Sequence, residues 1–330
     1  MPSILTFSQF PTSPLALRSN DPAEQDRRRA FSSEMAVTAN TARDQLADLW
    51  SCARGIGQRM IALAAVHGSV TDWRHRLATA APGRLGVGLP FDAERFRTPI
   101  TDTTANYDRL GHVGRLRDGA TWHQASRTYR GGTPTPASLA MAHYGSEALR
   151  RFEREAPDAD VLQNWVTLPS GELVAGNRIL HGSAARTVAV ELTARIEARG
   201  LDAGRVETGG DPIYTATPTA ADGDRLFTEA LRILARPTPD PESFLLARYL
   251  LFQAPRTKKG SDAVTRVFTV ATGSLLLGDD APALPTDADL RAYVLGQDDQ
   301  EGENEDEEIE DEGHEDDRDQ EAEAWAEGRL

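Results

Sequence analysis

The chain has 330 residues, of which 39% are apolar and 26% are charged, so it can bury a sizeable core in one large domain or two small ones. Cys52 is the only cysteine, which excludes an intramolecular disulfide and a zinc site built on thiolates, and favours a reducing, cytoplasmic location. No apolar run reaches the roughly 18 residues of a transmembrane span, and the N-terminus lacks the pattern of a signal peptide. We therefore expect no membrane partner.

The acidic charge is concentrated at the C-terminus. The net charge is −15, yet residues 298–330 alone contain 18 Asp and Glu and two Arg, whereas residues 1–297 contain 33 acidic and 34 basic residues. A nearly neutral body predicts no broad nucleic-acid footprint, although a small basic patch remains compatible with it. Blocks of acids repel one another and stay hydrated, so we expect a disordered acidic tail at 297–330. It would serve solubility, bind a basic protein partner, or cover the basic loop at 256–259 of its own chain.

The pattern of the body is mainly helical. Residues 1–21, rich in Pro and Ser, predict an extended or disordered arm whose apolar residues dock on the body. Residues 81–135 are rich in loop-forming residues and show no clear element. Apolar residues at steps of three and four predict helices at 22–67, 69–79, 136–155, 183–199, 225–236, 241–254, 262–278 and 287–295.

One β-hairpin is predicted at 161–180. Two short β-rich runs flank Pro169-Ser-Gly, a sequence typical of a tight turn. The expected fold is therefore mainly α: a single compact helical body at 22–296 with one β-hairpin, preceded by the arm and followed by the tail.

The strongest candidate site is a basic loop between two helices. The helix around 244–252 is apolar almost all round and is expected to be buried. After it, Lys258 and Lys259 supply charge, Gly260 and Ser261 precede free N–H groups at a helix N-terminus, and Arg266 follows one turn on. These five residues are the parts of a phosphate or nucleotide site, although Asp262 would repel a phosphate there, and a solvated basic turn is the alternative.

The segment from Pro255 to Arg266 resembles the motif of the Fic/Doc family, His-x-Phe-x-Asp/Glu-Gly-Asn-Gly-Arg-x-x-Arg. Gly260 and Arg266 match it, and Ser261 replaces the Asn. Pro255 stands in place of the catalytic His and Lys259 in place of the metal-holding acid, while Ala263 replaces the first phosphate-binding Arg. The resemblance implies a degenerate Fic-like core at 160–278 with a phosphate-binding site and altered chemistry. It also implies that the 161–180 hairpin lies beside the site, where the family has a flap that registers the target.

A second cluster is Thr121 to Gly132, followed by His143 and Tyr144. Trp122, Tyr129 and the arginines at 127 and 130 interleave aromatic and basic side chains, which could clamp a nucleotide by stacking and phosphate contact. Tyr129-Arg130-Gly131 is also similar to a short motif of ADP-ribosyltransferases. Loop arginines are commonly solvated, and that is the alternative here.

Other features predict little chemistry. His67, His75, His112 and His181 lack metal-site spacing, so we predict no metal site, and Cys52 is expected to be a small core residue. The glycines at 82–89 lack the strand and helix of a dinucleotide loop. We therefore predict a phosphate- or nucleotide-binding, transferase-like protein, with Asp262 and His181 as weak catalytic candidates and no assigned catalytic residue. The alternative is a non-catalytic interaction protein that uses its acidic tail to bind a basic partner.

Overall fold

The structure, a computed structural model, describes residues 3–80, 93–200 and 202–297. Within these ranges the chain forms eight α-helices and a small antiparallel sheet. The helices are α1 Pro22–Cys52, α2 Ile56–Ala80, α3 Pro136–Glu155, α4 Gly182–Glu197, α5 Ala220–Leu234, α6 Pro241–Gln253, α7 Ser261–Leu276 and α8 Ala288–Val294. The strands are β1 Tyr107–Leu110, β2 Thr121–His123, β3 Thr128–Arg130, β4 Val161–Thr167, β5 Leu173–Leu180 and β6 Ile213–Ala216.

Helices α6 and α7 lie in the largest hydrophobic core, packed among α1, α2 and α5. Asp240 caps α6 by accepting from the backbone N of Ser243 (2.8 Å), and Pro241 occupies the first turn, as expected. Leu250 of α6 and Phe268 of α7 are completely buried. The predicted burial of 244–252 is confirmed for most of its apolar side chains. The basic loop therefore joins two helices that have little freedom to move.

The prediction of a single β-hairpin is wrong. The expected hairpin forms from β4 and β5, but β6 and β1 extend it to a four-stranded antiparallel sheet of order β1-β6-β5-β4. A second, separate hairpin forms from β2 and β3. Strands β1 and β6 have only four residues each, and every residue of β6 is buried, so neither shows the alternation that reveals a strand.

Several helix boundaries also differ from the prediction. The break expected near residue 68 lies at Gly55, whose φ of +143° is accessible mainly to glycine, and α2 runs unbroken past residue 67. Helix α5 begins five residues early, because Thr219 caps it by accepting from the backbone N of Asp222.

The N-terminal segment is packed rather than disordered from residue 3 onward. Phe10 is 1% exposed, the backbone N of Leu5 donates to Asn40, and Leu17 O accepts from the backbone N of Ala137. Leu5 and Phe10 pack into the largest hydrophobic core, whereas Ile4 and Phe7 are exposed. Residues 11–18 of the segment form one wall of a cleft. Of the predicted acidic tail, 297–330, residues 298–330 lie outside the described residues. No helix in the described ranges is long and apolar enough to cross a membrane.

Candidate functional site

The loop between α6 and α7 is held in place by its neighbours. Lys258 N donates to Thr98 O (3.0 Å), and Lys258 O accepts from the amide nitrogen of Asn106 (3.2 Å). The Ser261 hydroxyl accepts from Thr257 N (3.1 Å) and donates to Thr257 O (2.9 Å). Ser261 is thus occupied in closing the loop, which fixes the direction of the lysines before it.

Gly260 begins α7 in a left-handed conformation, with φ of +80°. A Cβ atom here would lie 2.6 Å from Cδ1 of Phe96 and 3.0 Å from Cγ of Arg74. Glycine is therefore required both by the backbone angle and by the close approach of the aromatic ring. The turn lets the N-terminus of α7, with its positive dipole end, face a cavity.

That cavity is a cleft of about 1010 Å³, lined by the N-terminal segment, α1, β1, part of β6, the ends of α4 and α8, and the basic loop. All five predicted site residues lie along it: Lys258, Lys259, Gly260, Ser261 and Arg266. Among the described residues, twelve Arg and Lys line the cleft against five Asp and Glu. The cations are Arg18, Arg27, Arg28, Arg74, Arg95, Arg109, Arg115, Arg195, Arg199, Lys258, Lys259 and Arg266.

Several of these cations are close enough to repel one another. Burial lowers the pKa of Arg18, and the charges of Arg115 and Arg28 lower it further. The pKa of Lys258 is lowered in the same way, first by burial and then by Arg95, Arg195 and Arg199. Each lowered pKa means that the charged form of the side chain is less stable in the cleft than it would be in water. An anion in the cleft would relieve this repulsion.

Three of the cleft cations have no side-chain partner among the residues that the structure describes. Arg115, Arg199 and Lys258 make no side-chain hydrogen bond or ion pair within the described ranges. Arg115 and Arg199 are exposed to the cleft solvent, and Lys258 is half-buried. Their donors are therefore available to a ligand, which distinguishes them from most arginines of this protein.

Arg266, by contrast, is held entirely by the protein. Its side chain is 2% exposed, and it donates to Asp262 Oδ1 (2.7 Å), Asp289 Oδ1 (3.1 Å) and the main-chain oxygens of Pro285 and Thr286. The predicted direct contact between Arg266 and a ligand does not fit this geometry. Asp262 is correspondingly neutralised by Arg266, which removes much of the expected repulsion of an anion at the start of α7.

The acids of the cleft are mostly paired. Glu24 binds Arg27 and Arg28, and Asp289 binds Arg266, although burial raises the pKa of Asp289. Asp108 on β1 is the exception: no described residue hydrogen-bonds or ion-pairs with its carboxylate. The Asp108 side chain is accessible from the cleft but has protein on its other sides. Desolvation by that protein raises its pKa, although the nearby charges of Arg115, Arg18 and Arg95 lower it.

Aromatic rings support the remaining cations. The guanidinium of Arg74 lies over Phe31 at 5.1 Å and over Phe96 at 4.9 Å, and the Lys259 ammonium lies 5.3 Å from the centre of the Phe96 ring. Arg195 lies over Tyr107 and also pairs with Glu191. Such contacts orient a charged side chain at little cost. They place Lys259 at the cleft wall beside Gly260.

The second predicted cluster is not part of this cleft. Trp122 and Tyr129 contact each other edge to face at 5.1 Å, and the indole N–H of Trp122 donates to Gln124. Arg127 reaches the main-chain oxygen of Ala203 (3.4 Å), and Arg130 is exposed. None of residues 121–132 lines the cleft, nor do His143 and Tyr144. The sequence pattern was similar to that of the basic loop, but the surroundings differ.

The other predicted features that the structure describes lie outside the cleft. No residue of the 161–180 hairpin lines the cleft, although β5 contacts the end of α6 through a hydrogen bond from Asn177 N to Gln253 (2.8 Å). Cys52 is exposed at the end of α1, so its predicted core position is wrong. His181 contacts Ala159 O from the start of α4, outside the cleft. In the described part of the chain, no group of three or more potential ligands could hold a metal ion. The glycines at 82–89 lie outside the described residues.

Sequence patterns do not reveal the cations that other elements contribute, among them Arg18, Arg95, Arg115 and Arg199. They stand in segments without a motif, and only their convergence in space marks them. No protein-family model matches the chain, and no curated protein is significantly similar to it in sequence.

Proposed function

We propose that this protein binds a phosphorylated ligand of nucleotide size in the basic cleft. The observation that carries the proposal is the convergence of cations from separate segments on one cavity, with Arg18, Arg115, Arg199 and Lys258 drawn from four different parts of the chain. Repulsion between like charges gathered around one cavity is unfavourable for the empty protein, and such clusters are typical of sites that receive an opposite charge.

A phosphorylated ligand matches the donors and the size of this cavity. Guanidinium groups bind phosphate oxygens through two parallel hydrogen bonds, and the start of α7 offers N–H donors beside them. The volume of about 1010 Å³ lies at the upper end of the range for small-molecule sites, roughly 300–1,000 Å³. That space accommodates a nucleotide with several phosphates.

The residues divide into two roles. Lys258, Arg115 and Arg199 offer unoccupied donors and are the proposed ligand contacts, with Lys259 beside them. Gly260 and Ser261 shape the loop, and Arg266 fixes α7 against α8 through Asp262 and Asp289. Arg266 is therefore a positioning residue in this proposal.

A Fic-like core at 160–278 and a nucleotidyl- or phosphoryl-transfer reaction remain predictions. The order of buried helix, basic loop and buried helix supports the first. Pro255 cannot accept a proton where the family has its catalytic His. Asp108 is the cleft carboxylate that is accessible and unpaired among the described residues, so a transfer reaction in this cleft would use it as the base.

Titration calorimetry with ATP and inorganic pyrophosphate tests the binding. We expect Lys258→Ala and Arg199→Ala each to weaken ATP binding by about ten- to a hundredfold, because each removes a charge-assisted hydrogen bond worth roughly 1.5–3 kcal/mol. Arg130→Ala is the matched control, since it removes an exposed arginine outside the cleft. It should leave the affinity unchanged, and all three variants should keep the wild-type melting temperature.

Two results would contradict the proposal. One is the absence of binding heat with any phosphorylated probe at millimolar concentration. This must hold both for wild type and for a variant whose Asp and Glu at 298–330 are replaced by Asn and Gln. The other is equal ATP affinity in wild type, Lys258→Ala and Arg199→Ala, which would move the site away from this cleft.

A further inference from the structure

We propose that the acidic C-terminal segment, residues 298–330, binds the basic cleft of its own chain and competes there with the phosphorylated ligand. The proposal rests on the function proposed above in one respect, namely that the same cleft receives both anions. The proposal thus concerns how ligand binding at that site is regulated.

Charge complementarity is the first argument. The cleft is lined by twelve cationic and five acidic side chains of the described residues, and three of its cations have no side-chain partner among them. Residues 298–330 contain 18 acids and two Arg. The whole body, residues 1–297, contains 33 acids and 34 bases, so the part of it that does not line the cleft is left with 28 acids and 22 bases. An acidic segment is thus attracted to this cavity more strongly than to an average part of the surface.

The position of the chain exit is the second argument. Helix α8 contributes Asp289, Leu290 and Tyr293 to the cleft wall, and the described chain ends four residues beyond Tyr293 at Gln297. Gln297 is fixed to β4, because its side chain accepts from Thr167 N (2.8 Å) and donates to Thr167 O (3.2 Å). Four residues span at most about 14 Å, so the acidic segment begins close to the cleft wall.

The length of the segment is sufficient for the contact. Thirty-three residues can reach up to about 110 Å when extended, which exceeds any distance across a body of this size. A tethered segment acts at an effective concentration on the order of millimolar. A weak intrinsic affinity, with a dissociation constant of about 0.1 mM, would then reduce the apparent affinity of a competing ligand by about tenfold.

The experiment uses the full-length chain with an altered tail. In one variant the 18 Asp and Glu of 298–330 are replaced by Asn and Gln, and in the matched control the order of the tail residues is shuffled so that its charge is unchanged. We expect the neutral tail to raise ATP affinity by about tenfold at low salt, and the shuffled tail to leave it as in wild type. The difference should shrink toward 1 M salt, where the Debye length is about 3 Å.

A second arm keeps the test independent of the ligand. A synthetic peptide of residues 298–330 should bind the neutral-tail variant, and Lys258→Ala with Arg199→Ala in that variant should weaken this binding at least tenfold. Equal ATP affinity with the neutral and the wild-type tail would overturn the inference while the proposed function stands. If no phosphorylated probe binds either form, the proposed function fails, and the peptide titration still decides whether the tail occupies the cleft. Absence of peptide binding would overturn the inference.

Discussion

The basic loop at 255–266 and the small hairpin at 121–132 look alike in sequence, yet the structure gives them different surroundings. Both combine glycine with basic residues, and both have aromatic rings close by. In the hairpin, Arg127 donates to a main-chain oxygen of a neighbouring loop, and the indole of Trp122 donates to Gln124 within the hairpin itself. Arg117, which precedes the hairpin, donates to the main-chain oxygens of Gly131 (2.9 Å) and Gly132 (2.7 Å). In the loop, Lys258 faces cations from other elements and has no side-chain partner among the described residues.

A run of basic residues in the sequence does not by itself identify a binding site. A basic residue whose donors reach local carbonyl groups stabilises a turn, whereas one that faces other cations across a cavity needs an external anion. The first arrangement is local, and the second depends on residues far away in the chain.

Arg266→Ala should destabilise the protein by about 3–5 kcal/mol, because it leaves the buried carboxylate of Asp289, and the more exposed one of Asp262, without their cation. Arg117→Ala, just before the hairpin, removes an arginine that also binds two main-chain oxygens, but at the surface, and should cost about 1 kcal/mol. Urea unfolding at neutral pH measures both. Equal losses in the free energy of unfolding would show that the Asp262–Arg266–Asp289 cluster stabilises the fold no more than the surface contacts of Arg117 do.

The stability of the helices beneath the loop should depend on pH through His67. This side chain is packed between Phe227 and Phe268, and burial, with a smaller effect of Arg256, lowers its pKa from 6.5 to about 4. Above pH 6.5 the imidazole is neutral in both states. As the pH falls from 6.5 to 4, the unfolded chain binds a proton that the folded protein does not, so stability decreases, by up to about 3 kcal/mol in total.

Replacement of His67 by Asn removes this dependence. The free energy of unfolding of His67→Asn, measured in urea between pH 7 and pH 4, should fall less steeply than that of wild type by about 1.4 kcal/mol per pH unit. Parallel curves for the two proteins would mean that His67 is protonated in the folded state near its ordinary pKa.

The helical part of the fold could be predicted from sequence to a large extent, because its signals are local. Asp240 and Pro241 mark the start of α6, the apolar run after them marks its burial, and the turn at Pro169-Ser-Gly marks the hairpin of β4 and β5. Strands β1 and β6 were not predicted because each has only four residues, and β6 is buried throughout, so neither shows an alternating pattern. They pair with each other across about a hundred residues of the chain.

The candidate site was predicted only in part, for a related reason. The loop residues Lys258 to Ser261 stand next to each other and next to a helix start, so their arrangement is visible in the sequence. Arg266 was assigned to the ligand from its place on the helix, but Asp289, which comes from another helix, helps to hold it inside the protein. Arg115 and Arg199 carried no local signal, since their role depends on the packing of the segments around the cleft.

Gly260 and Gly131 provide the finest comparison of the two regions. Both have positive φ, +80° and +72°, so Gly→Ala at either position imposes a left-handed conformation that costs an alanine about 1 kcal/mol. At Gly131 the added Cβ meets open space, whereas at Gly260 it would lie 2.6 Å from the Phe96 ring and must displace it. Overpacking of this kind costs roughly 1–3 kcal/mol, so Gly260→Ala should be the more destabilising by that amount in urea unfolding. Displacement of Phe96 also moves the ring on which Lys259 lies, so ATP affinity should fall in Gly260→Ala and stay unchanged in Gly131→Ala. Equal stability of the two variants would show that the loop and Phe96 move aside at little cost. The inference that the loop holds its lysines in a fixed position would then be wrong.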